Sequence, residues 1–378
     1  MVLPSWTNDL DERIFGFLSK LEVELQPGRY LPCVSGATDY GEKVSLGFSC
    51  FALKIYYMLG FWDKLPRTDQ EKWVSYIKSF QNEDIINIQD SIKKNAFIDS
   101  VLIEYLESCE KRISKRKLLN KIFGINHSDE FLTIPQKVII AETKQALASL
   151  AEIGEFSNSP YCQFPDSEKK LFEYMEKFDW SKPWASGGQT SALTVFFALE
   201  GKRAMEEKKL KKIQNSAILF FESIVDDDTG GYFSGATPDH GMLVNGAMKV
   251  LTGLNWLEEP IHFPEKLIDT TLRILPKSDG CHLVDAIYVL HRCALQTDYK
   301  RHKIKDYFMS VLDMINLHHN NDGGFSYNIG SAQKSYYGLP ISKGYNESDI
   351  HGTVLLTWAL SMIFCSIESS THWKIIKP

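Results

Sequence analysis

Apolar residues recur every three to four positions along most of this 378-residue chain, the period of a helix that buries one stripe. The pattern predicts helices over residues 44–59, 73–80, 100–113, 136–153, 168–178, 191–205 and 213–224 in the first part of the chain. It continues over 243–256, 267–275, 283–295, 304–317 and 353–367. Short Gly, Asp, Asn or Pro stretches separate these runs, and no series of two-residue alternation marks a sheet. About a dozen helices with short connections and no Ser/Pro/Gly-rich linker predict one all-α domain over 1–378, its neighbouring helices packed antiparallel.

The chain repeats itself. Gly230-Gly231-Tyr232-Phe233 lies over Gly323-Gly324-Phe325-Ser326 at an offset of 323 − 230 = 93 residues. At this offset Ile218 falls on Val311, Leu219 on Leu312, Phe221 on Met314, Ile224 on Leu317 and Asp228 on Asn321. Each Gly-Gly-aromatic turn is followed by a loop and then by a His-Gly pair that opens an apolar helix, His240-Gly241 in one unit and His351-Gly352 in the other. Residues 73–84 read as a third outer helix with a degenerate turn.

The segments 219–232 and 312–325 resemble the QW-type repeats of terpenoid cyclases and protein prenyltransferase β subunits. The resemblance covers a repeat core of about 40–367. It implies an α/α toroid, a closed ring of helical hairpins whose inner helices surround a central cavity.

Charge narrows the partners. With 42 basic and 48 acidic residues the net charge is −6, which gives no general grip on nucleic acid. The basic run 111–117 follows Glu104, Glu107 and Glu110 and reads as a solvated helix face. Seven scattered cysteines without a CxxC pair fit a reducing compartment rather than a disulfide framework. The first residues lack the basic start and apolar core of a secretion signal, and the apolar run 354–367 is shorter than a bilayer span. The expectation is a soluble, cytoplasmic protein without stable membrane insertion. Its partner is a small-molecule substrate, and its oligomeric state stays open.

In a toroid, the first turns of the inner helices lie at the cavity mouth. Those starts carry Gln189 after Trp184, Asp239-His240, Cys281-His282 with Asp285 one turn on, and Asp349 with His351. The helix dipole disfavours a charged His there, so these read as neutral imidazoles or as residues with anionic neighbours. His282 and Asp285 share one helix face. The expected catalytic set is Asp285 as proton donor, His282 tuning it, and His240 and His351 orienting or deprotonating. Trp184, Gln189, Asp239, Tyr232, Phe325, Tyr336 and Tyr337 are expected to bind substrate. The Gly- and Tyr-rich loop 326–348 reads as a lid or rim.

The prenyltransferase resemblance implies a zinc site, with Asp285 and His351 matching its Asp and His segments. Ile287 stands where that family has its cysteine ligand, and Cys281 lies four residues before the Asp. No metal or other cofactor is therefore expected, and zinc-dependent prenyl transfer is disfavoured. The acidic string 226–228 lies in a turn and lacks the first Asp of the cyclase Asp-x-Asp-Asp motif. Three readings follow. The first is a cyclase-like enzyme of the isomerase or lyase kind that uses acid-base chemistry on an apolar, isoprenoid substrate. The second is a carbohydrate-active toroid, an epimerase, lyase or glycoside hydrolase. The third is a non-catalytic binding toroid. An aliphatic and Phe lining would favour isoprenoid, and a lining of Tyr, Trp, Asn, Arg and carboxylates would favour sugar.

Overall fold

The computed structural model describes residues 3–83, 91–122, 131–367 and 371–378, without the side chains of 113–122. Most of the basic run 111–117 therefore lies outside the described side chains, and Lys111 and Arg112 are exposed. The described helices are α1 (Leu10–Leu21), α2 (Leu46–Met58), α3 (Arg67–Lys78), α4 (Ser100–Ile122), α5 (Ile134–Glu152), α6 (Glu168–Glu176) and α7 (Pro183–Leu199). They continue with α8 (Gly201–Ala204), α9 (Glu207–Ile224), α10 (His240–Leu257), α11 (Pro264–Thr271), α12 (Gly280–Ala294), α13 (Arg301–Asn316) and α14 (Ile350–Ile367). Two short strands, β1 (Ser335–Tyr336) and β2 (Leu339–Pro340), form an antiparallel hairpin.

Packing closes the helices into a ring. Helix α2 packs on α5, α5 on α7, α7 on α10, α10 on α12, α12 on α14, and α14 back on α2. These six inner helices carry the densest apolar sequence, because each is covered by two inner neighbours and by an outer helix. The outer layer is α1, α3, α6, α9, α11 and α13, and the chain is an all-α, α/α toroid. Inner neighbours run parallel: along the α7–α10 seam Pro183 lies beside Gly246, Gly187 beside Lys249 and Thr194 beside Gly253. Helix α14 is apolar enough by composition to cross a membrane, but 72% of it is buried as an inner helix of this ring.

The 93-residue repeat is a structural one. Val225 bridges to Tyr232 after α9, and His319 bridges to Phe325 after α13. The degenerate third unit conforms as well: Gln81 bridges to Phe97, and the Phe97 amide donates to Thr143 Oγ1 on α5 at 3.0 Å, as the Phe325 amide does to Thr353 Oγ1 on α14 at 3.0 Å. In the two Gly-Gly turns the first glycine has φ +72° (Gly230) and +105° (Gly323). Each turn presses its backbone against the next outer helix, Gly230 on Phe263 and Leu267 around the start of α11, and Gly323 on Arg13 of α1. Helix α1, which the periodicity reading left out, is thus the outer element that receives the last repeat.

One end of the ring is closed. The segment 371–378 crosses the C-terminal ends of three inner helices: the Lys374 amide donates to the Met58 carbonyl at 2.8 Å, the Lys377 amide to Glu152 Oε1 at 2.6 Å, and Trp256 Nε1 to the Pro378 carbonyl at 2.9 Å. Trp373 and Ile376 are buried in this plug.

Two glycines separate conformational strain from crowding. Gly230 and Gly235 both have positive φ, but a Cβ on Gly230 would lie 2.8 Å from the Leu267 amide and the Phe263 carbonyl, while one on Gly235 meets open space. Gly235→Ala is expected to cost about 1 kcal/mol and Gly230→Ala about 2–4 kcal/mol. Urea denaturation midpoints check this, and equal losses would show that the turn is not pressed against α11.

Candidate functional site

Periodicity together with the contacts of each inner helix fixes which residues face the hollow. On α12 the outward positions pack against the outer layer, which leaves Cys281, Asp285, Tyr288 and Arg292 on the inner face. The same reading puts Gly47, Phe51, Lys54 and Met58 inward on α2, and Lys144 and Ala148 inward on α5. On α7, α10 and α14 it selects Trp184, Gly188 and Ser191; Asn245, Lys249 and Thr252; and His351, Leu355, Trp358 and Met362.

Asp285 is the focus. It is only 2% exposed, and its Oδ2 accepts no hydrogen bond from the protein. Burial pushes its carboxyl up to about 6, against the opposing pull of Lys249 and His282. Across the mouth, His351 stacks on Phe51 at 4.8 Å and on Tyr327 at 5.4 Å. Its Nδ1 lies 2.8 Å from Gln333 Oε1, an acceptor, so the proton sits on Nδ1 and Nε2 keeps its lone pair. Burial and the charge of Lys249 push this imidazole down to about 4, and it is neutral at pH 7.

Aspartates order these helix starts. Asp239 caps α10 by accepting from the Met242 amide at 3.1 Å, and Asp279 caps α12 by accepting from the His282 amide at 3.2 Å. Asp349 is buried and accepts the amides of Gly352 at 2.7 Å, Tyr327 at 2.7 Å and Gln333 at 2.9 Å, tying the loop to α14. His282 Nδ1 lies 2.6 Å from Asp279 Oδ2, so its anionic neighbour is the cap.

The loop brings aromatic side chains over the mouth. Tyr337 and Gly338 form the two-residue turn of the hairpin, with φ +48° and +89°. Tyr336 is buried, and its hydroxyl donates to Glu142 Oε1 on α5. Burial pushes Glu142 up to about 8, although the Tyr336 hydrogen bond opposes this. Tyr337 stays 43% exposed, with its ring 4.6 Å from that of Tyr336 and within electrostatic reach of Glu142 on α5 and Cys281 on α12.

Several expected residues lie elsewhere. Tyr232 and Phe325 are fully buried in the two Gly-Gly turns, where Tyr232 bonds His262 at 3.0 Å and Phe325 packs on His319, so neither offers surface to a substrate. His240 turns outward, with Nε2 3.0 Å from the Thr270 carbonyl on α11, and is a packing residue of the outer layer. Asp239 is spent on its cap. Gln189 Oε1 is buried without a hydrogen-bond partner among the described residues. Trp184 is 46% exposed in the first turn of α7. Asp285, His282, His351, Trp184, Tyr336 and Tyr337 therefore stay around the mouth.

The prominent omissions from the sequence reading are the lysines. Lys54 is 3% exposed inside an otherwise apolar helix, and its Nζ has only Gln145 Oε1 at 3.4 Å. Burial lowers it, and lowers Lys144 well below the ordinary lysine value, helped there by the charges of Lys54 and Lys249. Lys249 runs its stem over Gly187, where a Cβ would come within 2.8 Å of the Lys249 Cβ. A lysine in the middle of an apolar inner helix was the available signal.

Among the described residues no group of three or more His, Cys, Asp or Glu side chains is placed to hold a metal ion. Burial and the Asp285 charge push the Cys281 thiol up to about 11.

No protein-family model matches the chain, and no curated protein matches it. Solved structures are similar to the chain, two of them as follows. The GH76A α-1,6-mannanase from Salegentibacter sp. HEL1_6 is 12% identical at a TM-score of 0.41, over 95% of this chain and 100% of that one. A possible member of the GH105 family from Salmonella enterica serovar Paratyphi A is 11% identical at a TM-score of 0.43, over 97% of this chain and 100% of that one.

The Asp285 environment fixes a stability signature. Its folded value of about 6 stands above the ordinary aspartate value of 3.8. The carboxyl therefore costs the fold nothing below the lower value and progressively destabilises it as pH rises through the higher one. Asp285→Asn is expected to stabilise the protein at pH 7.5 by about 2–3 kcal/mol and to lose that gain below pH ~4. Chemical denaturation at the two pH values checks this.

Proposed function

We propose that the protein is a carbohydrate-active enzyme that works in the hollow of its ring by proton transfer from Asp285. The observation that carries this reading is a buried carboxyl with an unpartnered oxygen on Asp285, in a ring whose inward helix positions also carry Lys54, Lys144, Asn245, Lys249, Tyr288 and Trp358. Such a lining offers hydrogen bonds and aromatic faces, which suit a sugar. The isoprenoid reading needs walls of aliphatic and Phe side chains, and Phe51, Met58, Leu355 and Met362 are too few among the polar groups to supply them.

The chemistry assigned to the site is glycoside hydrolysis. Asp285 protonates the bridging oxygen, and the bond from that oxygen to the anomeric carbon breaks with its electron pair going to the oxygen. Water adds to the anomeric carbon as His351 Nε2 takes its proton. His282, held on Asp279, biases Asp285 electrostatically. His351 is pre-set for its role by the Gln333 contact and by the stacking between Phe51 and Tyr327.

The pH profile follows from the two groups. Asp285 must be protonated, so turnover falls as pH rises through about 6, and His351 must be neutral, so it falls as pH drops through about 4. Turnover of a panel of glycans is expected to show this bell, with Asp285→Asn lowering kcat by about 10²–10⁴-fold. Undiminished turnover in Asp285→Asn, or a profile that does not fall below about 4 and above about 6, overturns the assignment.

A further inference from the structure

We infer that the hollow takes an acidic saccharide, one whose carboxylate or sulfate group is held among Lys54, Lys144 and Lys249. This rests on the carbohydrate reading and names the substrate class for the same site. The three lysines come from α2, α5 and α10, and each occupies an inward position. Among the described residues none of the three has a carboxylate within ion-pair distance, and Lys54 Nζ has only Gln145 Oε1 at 3.4 Å.

The charge count inside the ring is unbalanced. Lys54, Lys144, Lys249 and Arg292 are four basic side chains set against the carboxyl groups of Asp285 and Glu152, and burial pushes Lys54 and Lys144 toward their neutral forms. Glu142 adds no charge near neutral pH, because burial holds its proton. Glu152 lies close enough to Lys54 to favour its charge, but that carboxylate also accepts the Lys377 amide at the closed end. Lys144 is left within electrostatic reach of Lys249, and Lys249 within reach of Asp285. Arg292 adds a buried Nε without a hydrogen-bond partner.

Like charges gathered in a desolvated space oppose folding, and nothing in the fold requires these side chains at inward positions. An alanine or leucine would pack the same inner faces. Gly187 lets α7 approach α10 closely at Lys249, where a Cβ would come within 2.8 Å of the Lys249 Cβ. The next residue, Gly188, points into the hollow with no atom within 4 Å of its virtual Cβ, so space for a sugar lies beside the cations. The parallel inner helices also direct their positive dipole ends to the mouth, which draws an anion inward.

A bound anion restores the charge of Lys144 and offsets the repulsion between the lysines. It also removes part of the pull that Lys249 exerts on Asp285, which keeps the carboxyl protonated to higher pH and ties acid recognition to the proton donor.

The test is isothermal titration calorimetry of the full chain with trigalacturonate, a sulfated galactan trisaccharide and the neutral galactan trisaccharide, with inorganic phosphate as a non-sugar anion. At least one acidic trisaccharide is expected to bind about tenfold or more tighter than the neutral one. The trigalacturonate and sulfated arms tell carboxylate from sulfate. Lys249→Met and Lys144→Met should each bring the acidic-to-neutral ratio toward one, and added salt should do the same. Two variants are used so that a folding defect in one, seen as a lost thermal transition, leaves the other to decide. Equal binding of acidic and neutral sugars overturns the acidic-substrate inference and leaves the carbohydrate reading standing. Lys249-dependent binding of phosphate with no trisaccharide bound overturns the carbohydrate reading and keeps the anion site. Binding of none of the four overturns both.

Discussion

Closure of the inner helices on themselves, through the packing of α14 against α2, is the constraint on which the rest depends. An open stack of the same hairpins would leave Lys54 and His351 on distant edges, each solvated. The closed ring instead puts six first turns around one mouth and turns every inward side chain toward the others. Charge inside such a space cannot be relieved by water as it is on a surface. Asp285, Lys144 and His351 are perturbed in the direction that burial dictates, each toward its neutral form. The site is thus a product of architecture: the same residues on a solvated helix would be ordinary.

Glycine makes the close approaches that closure needs. Gly246 meets Pro183, Gly253 meets Thr194 and Gly187 meets Lys249, so α7 and α10 come together along most of their length. The Gly-Gly turns do the corresponding work outside, letting the backbone after α9 and α13 lie against the next outer helix. Helix propensity disfavours glycine at the inner positions, and packing prevails over it.

This is also why the sequence was partly legible. Helix positions and the 93-residue repeat could be read because apolar periodicity reports which face of a helix is buried, and both express the same ring. The start of α7 could not: Pro183 to Gly188 contains two glycines and a proline, a run that reads as a break, and only the contact with α10 makes it helical. The apolar stripe of α1, Leu10, Ile14, Phe17, Leu18 and Leu21, was present but short, and its role comes from the last repeat packing on it. Asp285, His282 and His351 could be selected as candidates because polar residues at helix starts mark a mouth in a toroid, and the structure sets all three in the first one or two turns of α12 and α14. Tyr232 and Phe325 were misjudged for the converse reason, since an aromatic after a Gly-Gly turn looks the same in sequence whether it lines a cavity or seals a turn. The lysines were missed because periodicity separates a buried face from a solvated one, whereas a closed ring adds a third kind, buried and facing a hollow.

Access to that hollow follows from how its two ends are covered. The segment 371–378 is fastened to α2, α5 and α10 by backbone groups, and Trp373 and Ile376 are buried beneath it, so opening that end means breaking packing. At the mouth the cover is narrower. Tyr336 is anchored between α2 and α5 by Glu142, while Tyr337 and Gly338 stand at the tip of a two-residue turn with nothing within 4 Å of Gly338. The tip can shift without disturbing Tyr336, because the hairpin register Ser335–Pro340 and Tyr336–Leu339 holds below it. Of the two covers, the hairpin tip at Tyr337 is therefore the less firmly held.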